Sequence, residues 1–274
     1  MRLGPLRVTD DPRKPTRAEL AQQRRLAARR ARERFGRARK AEAGFARNLR
    51  AVARHVGAIV RGFATPEGEI RNEPAVRRAL QAYSEVLKPW AEAVGSKMLA
   101  EVDRRDAAAW SAASREIGQE LRAEVLKAPT GALMRERLAE QVDLITSLPR
   151  GAAERVHRLT IRALEGGERA KAVAKEILRT GKVTESRAML IARTEVGRTA
   201  TELTHARAKH IGSEAYIWRT AGDADVRDLH KKLDGKVIRW DDPPIAGEAG
   251  ERAHAGSIYN CRCWADPILP ETIT

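Results

Sequence analysis

The stretch Gly212-Ser213-Glu214-Ala215-Tyr216-Ile217-Trp218-Arg219 divides the chain into two textures. Before it, apolar residues recur at helical spacing. Within it, Ala215 to Arg219 alternate as in a half-buried β-strand. Gly212 is the expected stop of a long helix, because glycine accepts the left-handed backbone that commonly ends one. That helix is expected over about 185–211, with Thr184 as its N-cap and Ala192, Val196, Ala200, Leu203 and Ala206 as its buried stripe. Downstream, Lys236-Val237-Ile238-Arg239-Trp240 reads as a second strand opened by the Asp234-Gly235 turn. Asp241 to His254, with two prolines and two glycines, reads as loop, and Cys261 to Ile268 as a third short strand.

Further upstream the helical texture continues. Residues 1–15 hold Pro5, Pro12 and Pro15 and read as an extended tail. A long basic helix is expected from Thr16 to about Gly62, with Thr16 and Glu19 forming a capping box. Its apolar residues are sparse and mostly alanine, so it is expected to need a partner to order it. Helices follow over about 74–103, 106–127, 131–147, 151–165 and 168–179. The breaks fall at Thr65-Pro66-Glu67-Gly68, Ala128-Pro129-Thr130-Gly131, Leu148-Pro149-Arg150-Gly151, Gly166-Gly167 and Gly181. The expected class is α+β: a mostly helical N-terminal region with the basic helix over 1–150, then a small C-terminal α+β domain with a short irregular sheet over 151–274.

Composition agrees. Aromatic residues make up 4% of the chain, which favours helices with small-residue packing, and Trp218, Trp240 and Trp264 all lie in the last 57 residues. Of the net charge of +15, residues 1–62 carry 18 Lys/Arg against 5 Asp/Glu, leaving the rest nearly balanced. A basic arm on a neutral body points to a polyanion, either nucleic acid or an acidic protein surface. Arg24, Arg25, Arg29, Arg30, Arg37, Arg39 and Lys40 are the residues expected to meet it, most simply the phosphates of double-stranded DNA. The sequence has no apolar run long enough to span a membrane and no secretory h-region, so synthesis in a cytoplasm is expected.

The two cysteines stand at Asn260-Cys261-Arg262-Cys263-Trp264. In a strand their side chains share one face. With His230 and His254 they make a Cys₂His₂ set, the donor combination zinc prefers. The spacing departs from the usual C-x₂-C knuckle, and buried thiols or a redox pair are the competing readings. A disulfide across C-x-C is strained and unsuited to a reducing compartment. Asp223 to His230 reads as a salt-bridged turn rather than an EF-hand, which needs different ligand spacing. Arg193 and Glu195 cannot face each other on one helix. They are expected to bind Asp225 and Arg227 across the domain, forming a structural polar set. The chain has no P-loop, no G-x-S-x-G and no H-E-x-x-H.

Taken in order, Ile191-Ala192-Arg193-Thr194-Glu195, then Trp218-Arg219-Thr220 with Asp223, then Val226-Arg227-Asp228-Leu229-His230 and Leu233-Asp234-Gly235, then His254 and Asn260-Cys261-Arg262-Cys263-Trp264 with Pro267, form a series. Over about residues 150–270 this series resembles the phage Mu F-like head morphogenesis proteins, which are minor capsid proteins of tailed bacteriophages. The family commonly reads His-Pro before its cysteines, and here His254 is followed by Ala255. The resemblance implies a non-enzymatic virion protein made in the host cytoplasm and packaged in few copies, in the capsid interior or at the portal vertex. Its implied partners in procapsid assembly are the portal protein, the major capsid or scaffolding protein, and packaged DNA. Some relatives carry a toxin domain after this module, and with 11 residues following Cys263 none is expected here. Two other readings stand beside it. One is a metal-dependent or transferase-like enzyme acting through Asp225, His230, Cys261 and Cys263. The other is a general nucleic-acid-binding protein, which leaves the motif series unused.

Overall fold

The computed structural model describes residues 39–70, 72–114, 119–166 and 170–269, with scattered positions between 18 and 33. The expected capping pair Thr16 and Glu19 and the proline-bearing tail lie outside the described residues.

The helices run α1 (Arg39–Gly62), α2 (Glu73–Val86), α3 (Lys88–Ser114), α4 (Gln119–Lys127), α5 (Thr130–Gly166), α6 (Ala170–Leu178) and α7 (Thr180–His210). Strand β1 (Ala215–Arg219), helix α8 (Asp228–Leu233) and strands β2 (Val237–Arg239) and β3 (Trp264–Pro267) complete the order. A mostly helical body followed by a small sheet is the expected class. No helix among the described residues is long and apolar enough to cross a membrane.

Helix α1 has more of a core face than its alanine content suggests. Phe45, Leu49, Val52, Val56 and Val60, spaced three and four apart, are all buried. The partner that orders α1 is α7, against which it packs. At the crossing the two backbones come so close that a Cβ on Gly181 would lie 2.9 Å from the Gly57 Cα. Gly181 is therefore part of α7 and not the break expected there. Thr184 sits buried within the helix, its hydroxyl donating to the Thr180 carbonyl at 2.8 Å, and it does not serve as the expected cap. A Gly181→Val substitution is expected to force α1 and α7 apart and cost about 1–3 kcal/mol, the usual penalty for overpacking. Urea titration measures it as a lowered midpoint with little change in slope.

Helix α5 corrects a second expectation. It runs unbroken through Pro149, although proline removes one ladder hydrogen bond and crowds the preceding turn. Packing on both sides of the proline outweighs this. Ile145 and Leu148 are buried against α1, α3 and α7, while Ala152, Ala153 and Val156 are buried against α1, α2 and α6. The boundary expected near residue 150 thus falls inside a helix. An unexpected break occurs at Leu87, just before Pro89 in the first turn of α3. Asn72 caps α2 by accepting the Ala75 N–H at 3.0 Å.

Helix α7 ends as expected. Gly212 has φ of 76°, its N–H reaches the Lys209 carbonyl, and Ser213 N–H reaches the Ala208 carbonyl at 2.9 Å. The chain then enters β1, the centre of an antiparallel sheet of order β2-β1-β3. Tyr216 and Trp218 point into the core and pair in register with Ile238 and Ala265 respectively. The core beneath the sheet also takes Trp110 from α3 and Val125 from α4, so helices from the N-terminal half complete the C-terminal domain.

Candidate functional site

The motif residues converge where the N-terminal half of α7 meets the loops flanking β1 and β3. Asn260 is the hinge of this convergence. It holds φ of 54°, a left-handed conformation that asparagine tolerates better than most residues. Its backbone N–H donates to the Thr194 hydroxyl at 3.0 Å, and its side-chain oxygen accepts from Arg193 at 3.0 Å. Arg193 also reaches Glu42 on α1 at 3.3 Å. The first and last motifs, 66 residues apart, are thereby joined directly.

The middle motif joins them through Arg262, which lies between the cysteines. Its guanidinium meets Asp223 at 2.6 Å and Asp225 at 3.1 Å. Arg227 donates to the Tyr259 carbonyl at 2.9 Å. The acidic run is a salt-bridged turn, as expected, but the four-residue polar set is partnered differently. Glu195 is buried and accepts from Gln141 of α5 at 2.7 Å. Arg193 and Glu195 leave opposite sides of α7, so neither reaches Asp225 or Arg227.

Arg50, Arg193, Arg262, Glu42 and Asp223 line a cavity of ≈ 620 Å³ between α1, α7 and the cysteine segment. Its walls carry both signs of charge.

His230, Cys261 and Cys263 come together and are all buried. The His230 Nδ1 lies 3.6 Å from the Cys261 Sγ and 3.4 Å from the Cys263 Sγ. On the far side of the ring, Nε2 donates to the Ala246 carbonyl at 2.9 Å. A carbonyl can only accept, so Nε2 carries the proton and the Nδ1 of a neutral ring presents its lone pair to the sulfurs. Trp218 closes the other side of the ring, edge to face at 5.4 Å. The cysteines do not lie in β3 as expected. They occupy the short segment between the 255–260 turn and β3, where Cys261 N–H donates to the Ile258 carbonyl and Cys263 N–H to the Cys261 Sγ at 3.4 Å. That tight turn, not strand alternation, brings both sulfurs to one histidine.

The two thiols titrate as a pair. The Cys263 thiol's hydrogen bond, with help from His230, draws the Cys261 thiol well below its ordinary value. The same bond together with burial pushes Cys263 up. Burial pulls His230 down, but the Cys261 thiol and the Ala246 carbonyl outweigh it and leave it raised. The arrangement is a compact N/S donor set that readily carries one thiolate.

His254, the fourth expected member, stands elsewhere. Its Nδ1 lies 3.2 Å from the Tyr216 hydroxyl, and that hydroxyl accepts the Ala255 N–H at 3.3 Å. His254 meets Trp240 edge to face at 5.4 Å and His205 at 5.5 Å, while His205 stacks on Trp240 at 4.5 Å. The sequence pattern does not reveal this aromatic cluster, since His205 lies in a helical stretch and reads as a surface residue. Its only local signal is that His205 lies on the same helical face as the buried Thr201 and Ala208. Burial holds both histidines below their ordinary value, His205 to about 4. A histidine kept neutral in this way stabilises the fold fully above about 6.5 and loses that contribution as pH falls toward 4. His205→Phe keeps the stack and removes the titration. It is expected to lose less melting temperature between pH 7.5 and pH 5 than the wild-type chain does, measured by calorimetry.

Of the expected DNA-contacting residues, Arg25, Arg29 and Lys40 are exposed, Arg29 beside Glu33 at 3.6 Å. Arg24, Arg30 and Arg37 and the Arg39 side chain lie outside the described residues.

Comparison with known proteins places this site. The family described as Phage Mu protein F like protein matches residues 154–265. An uncharacterised protein of Haemophilus influenzae is 33% identical over 131 residues, which is 48% of this chain and 28% of that protein, so the chain spans less than a third of that relative's length. No solved structure matches. The segment that holds Arg193, Asp223, His230, Asn260 and both cysteines, residues 154–265, is thus the part of the chain similar to the Phage Mu protein F like family.

Proposed function

We propose that the protein is a phage head morphogenesis protein that acts in procapsid assembly and associates with the portal. The observation that supports this reading is the convergence of the motif series. Arg193, Thr194, Asp223, Asp225, Arg227, His230 and the 259–263 segment are linked by direct contacts into one module. Their roles are to hold loops to a helix, as suits a structural component of a particle. Asp225, which the enzyme reading needs as an acid or base, is an exposed partner of Arg262.

The basic arm serves as a polyanion contact in this reading. Residues 1–38 hold 12 Lys/Arg against 4 Asp/Glu, while residues 39–62 form the core helix α1. The DNA-contacting function therefore belongs to the segment before α1, and removing 1–62 would take core residues with it. Portal association is tested by co-expressing the full chain with the portal protein of the same phage. The two are expected to co-purify, and separate elution at low salt would count against the association. DNA contact is tested by deleting 1–38. Salt-dependent binding to duplex DNA is expected to fall sharply while the melting temperature holds, and unchanged binding would remove the arm from any DNA-contacting role.

A further inference from the structure

We infer that His230 Nδ1, Cys261 Sγ and Cys263 Sγ are three protein ligands of a zinc site. This assignment rests on geometry and does not depend on the head-assembly reading. Zinc binds thiolate sulfur at about 2.3 Å and imidazole nitrogen at about 2.0–2.1 Å, so at a tetrahedral angle the two donors stand about 3.6 Å apart. The two nitrogen–sulfur separations here are 3.6 and 3.4 Å. All three donor atoms lie within 4.8 Å of one another, close enough to share one ion.

The surroundings match what a zinc-binding histidine needs. Such a ring almost always donates its other N–H to a carbonyl or carboxylate, which fixes the tautomer and aims the lone pair at the metal. The Ala246 carbonyl does this for His230 at 2.9 Å. Trp218 fixes the ring plane from the side, and α8 and the 258–261 turn deliver the ligands from separate segments. Simple burial of two small thiols does not require a histidine nitrogen aimed between them. A zinc ion in this place would tie α8 to the turn before β3 and so close the small domain.

His254 is not a ligand in this assignment, because it lies outside the group of donor atoms that could share one ion, its Nδ1 being beside the Tyr216 hydroxyl. No fourth His, Cys, Asp or Glu among the described residues joins the group, and a zinc ion held by three protein ligands keeps its fourth position open.

The test is elemental analysis of the full chain purified from zinc-supplemented cells, with Co(II) exchange as a second readout. About one zinc per chain is expected for a single site of this kind. Cys261→Ala, Cys263→Ala and His230→Ala are expected to lose it, and His254→Ala to keep it. Cobalt in the wild-type chain is expected to give a thiolate-to-metal charge-transfer band in the near ultraviolet, which decides the matter even where a ligand variant fails to fold. Wild-type protein that holds no zinc and gives no such band overturns the site. Zinc retained by both cysteine variants, or lost from a folded His254→Ala, overturns the three-residue assignment.

Discussion

Replacing Arg207 by alanine is expected to destabilise the protein by about 3–5 kcal/mol at pH 7, the range for removing one partner of a buried ion pair. Arg207 projects from α7 into the interior with only 4% of its surface exposed. One amino group bonds Asp106 of α3 at 2.5 Å and the other Asp103 at 2.8 Å. Asp106 also accepts from the Thr204 hydroxyl at 2.5 Å. Without the guanidinium, a buried carboxylate is left with one hydroxyl.

The cost has a pH dependence whose sign follows from Asp106. Burial pushes its carboxyl up to about 6, against the pull of Arg207 and Thr204. An acid whose folded value lies above its unfolded value takes up its proton in the folded state first. Its contribution to stability therefore rises as pH falls through 6 toward the unfolded value of 3.8. Loss of Arg207 raises the carboxyl further, so protonation relieves the variant more than the wild-type chain. The difference between the two is expected to shrink from pH 8 to pH 5 in urea titrations. A difference below about 1 kcal/mol at pH 8, the level of an exposed pair, would show that this pair does not hold α3 to α7.

The second large effect is expected at Trp218. It sits in β1, fully buried, with His230 of α8 packed against its indole. Trp218→Ala is expected to cost about 3–5 kcal/mol, the range for truncating a large core aromatic. The void would open directly beside the His230 and cysteine group. The variant is therefore expected to lose the near-ultraviolet signature of the C-terminal core along with its stability. Retention of both would mean that the sheet is held from elsewhere.

Much of the fold is legible where local pattern governs it. The alternation of Tyr216 and Trp218, the stop at Gly212 and the turn at Asp234-Gly235 all report on neighbours a few residues away. Pro149 and Gly181 mislead for the opposite reason. Each is a local breaker, and each is overridden by packing from distant helices, α2 and α6 on one side of Pro149 and α1 at Gly181. The site divides in the same way. Its residues are recognisable as an ordered series, but their partners are not. Glu195 meets Gln141 across 54 residues, Arg193 meets Glu42 across 151, and nothing near either position announces it. The cysteines share a histidine because of the turn at Asn260, which spacing alone does not reveal. Residue type groups His254 with them, whereas Tyr216 and Trp240 claim it by shape.

The central proposal is that this chain takes part in phage head assembly, and mass spectrometry of purified procapsids from the phage that encodes it tests this most directly. The chain is expected to be present at few copies per particle and to remain with the particle when free protein is washed away at high salt. Its absence from washed procapsids that contain the portal protein would contradict the claim.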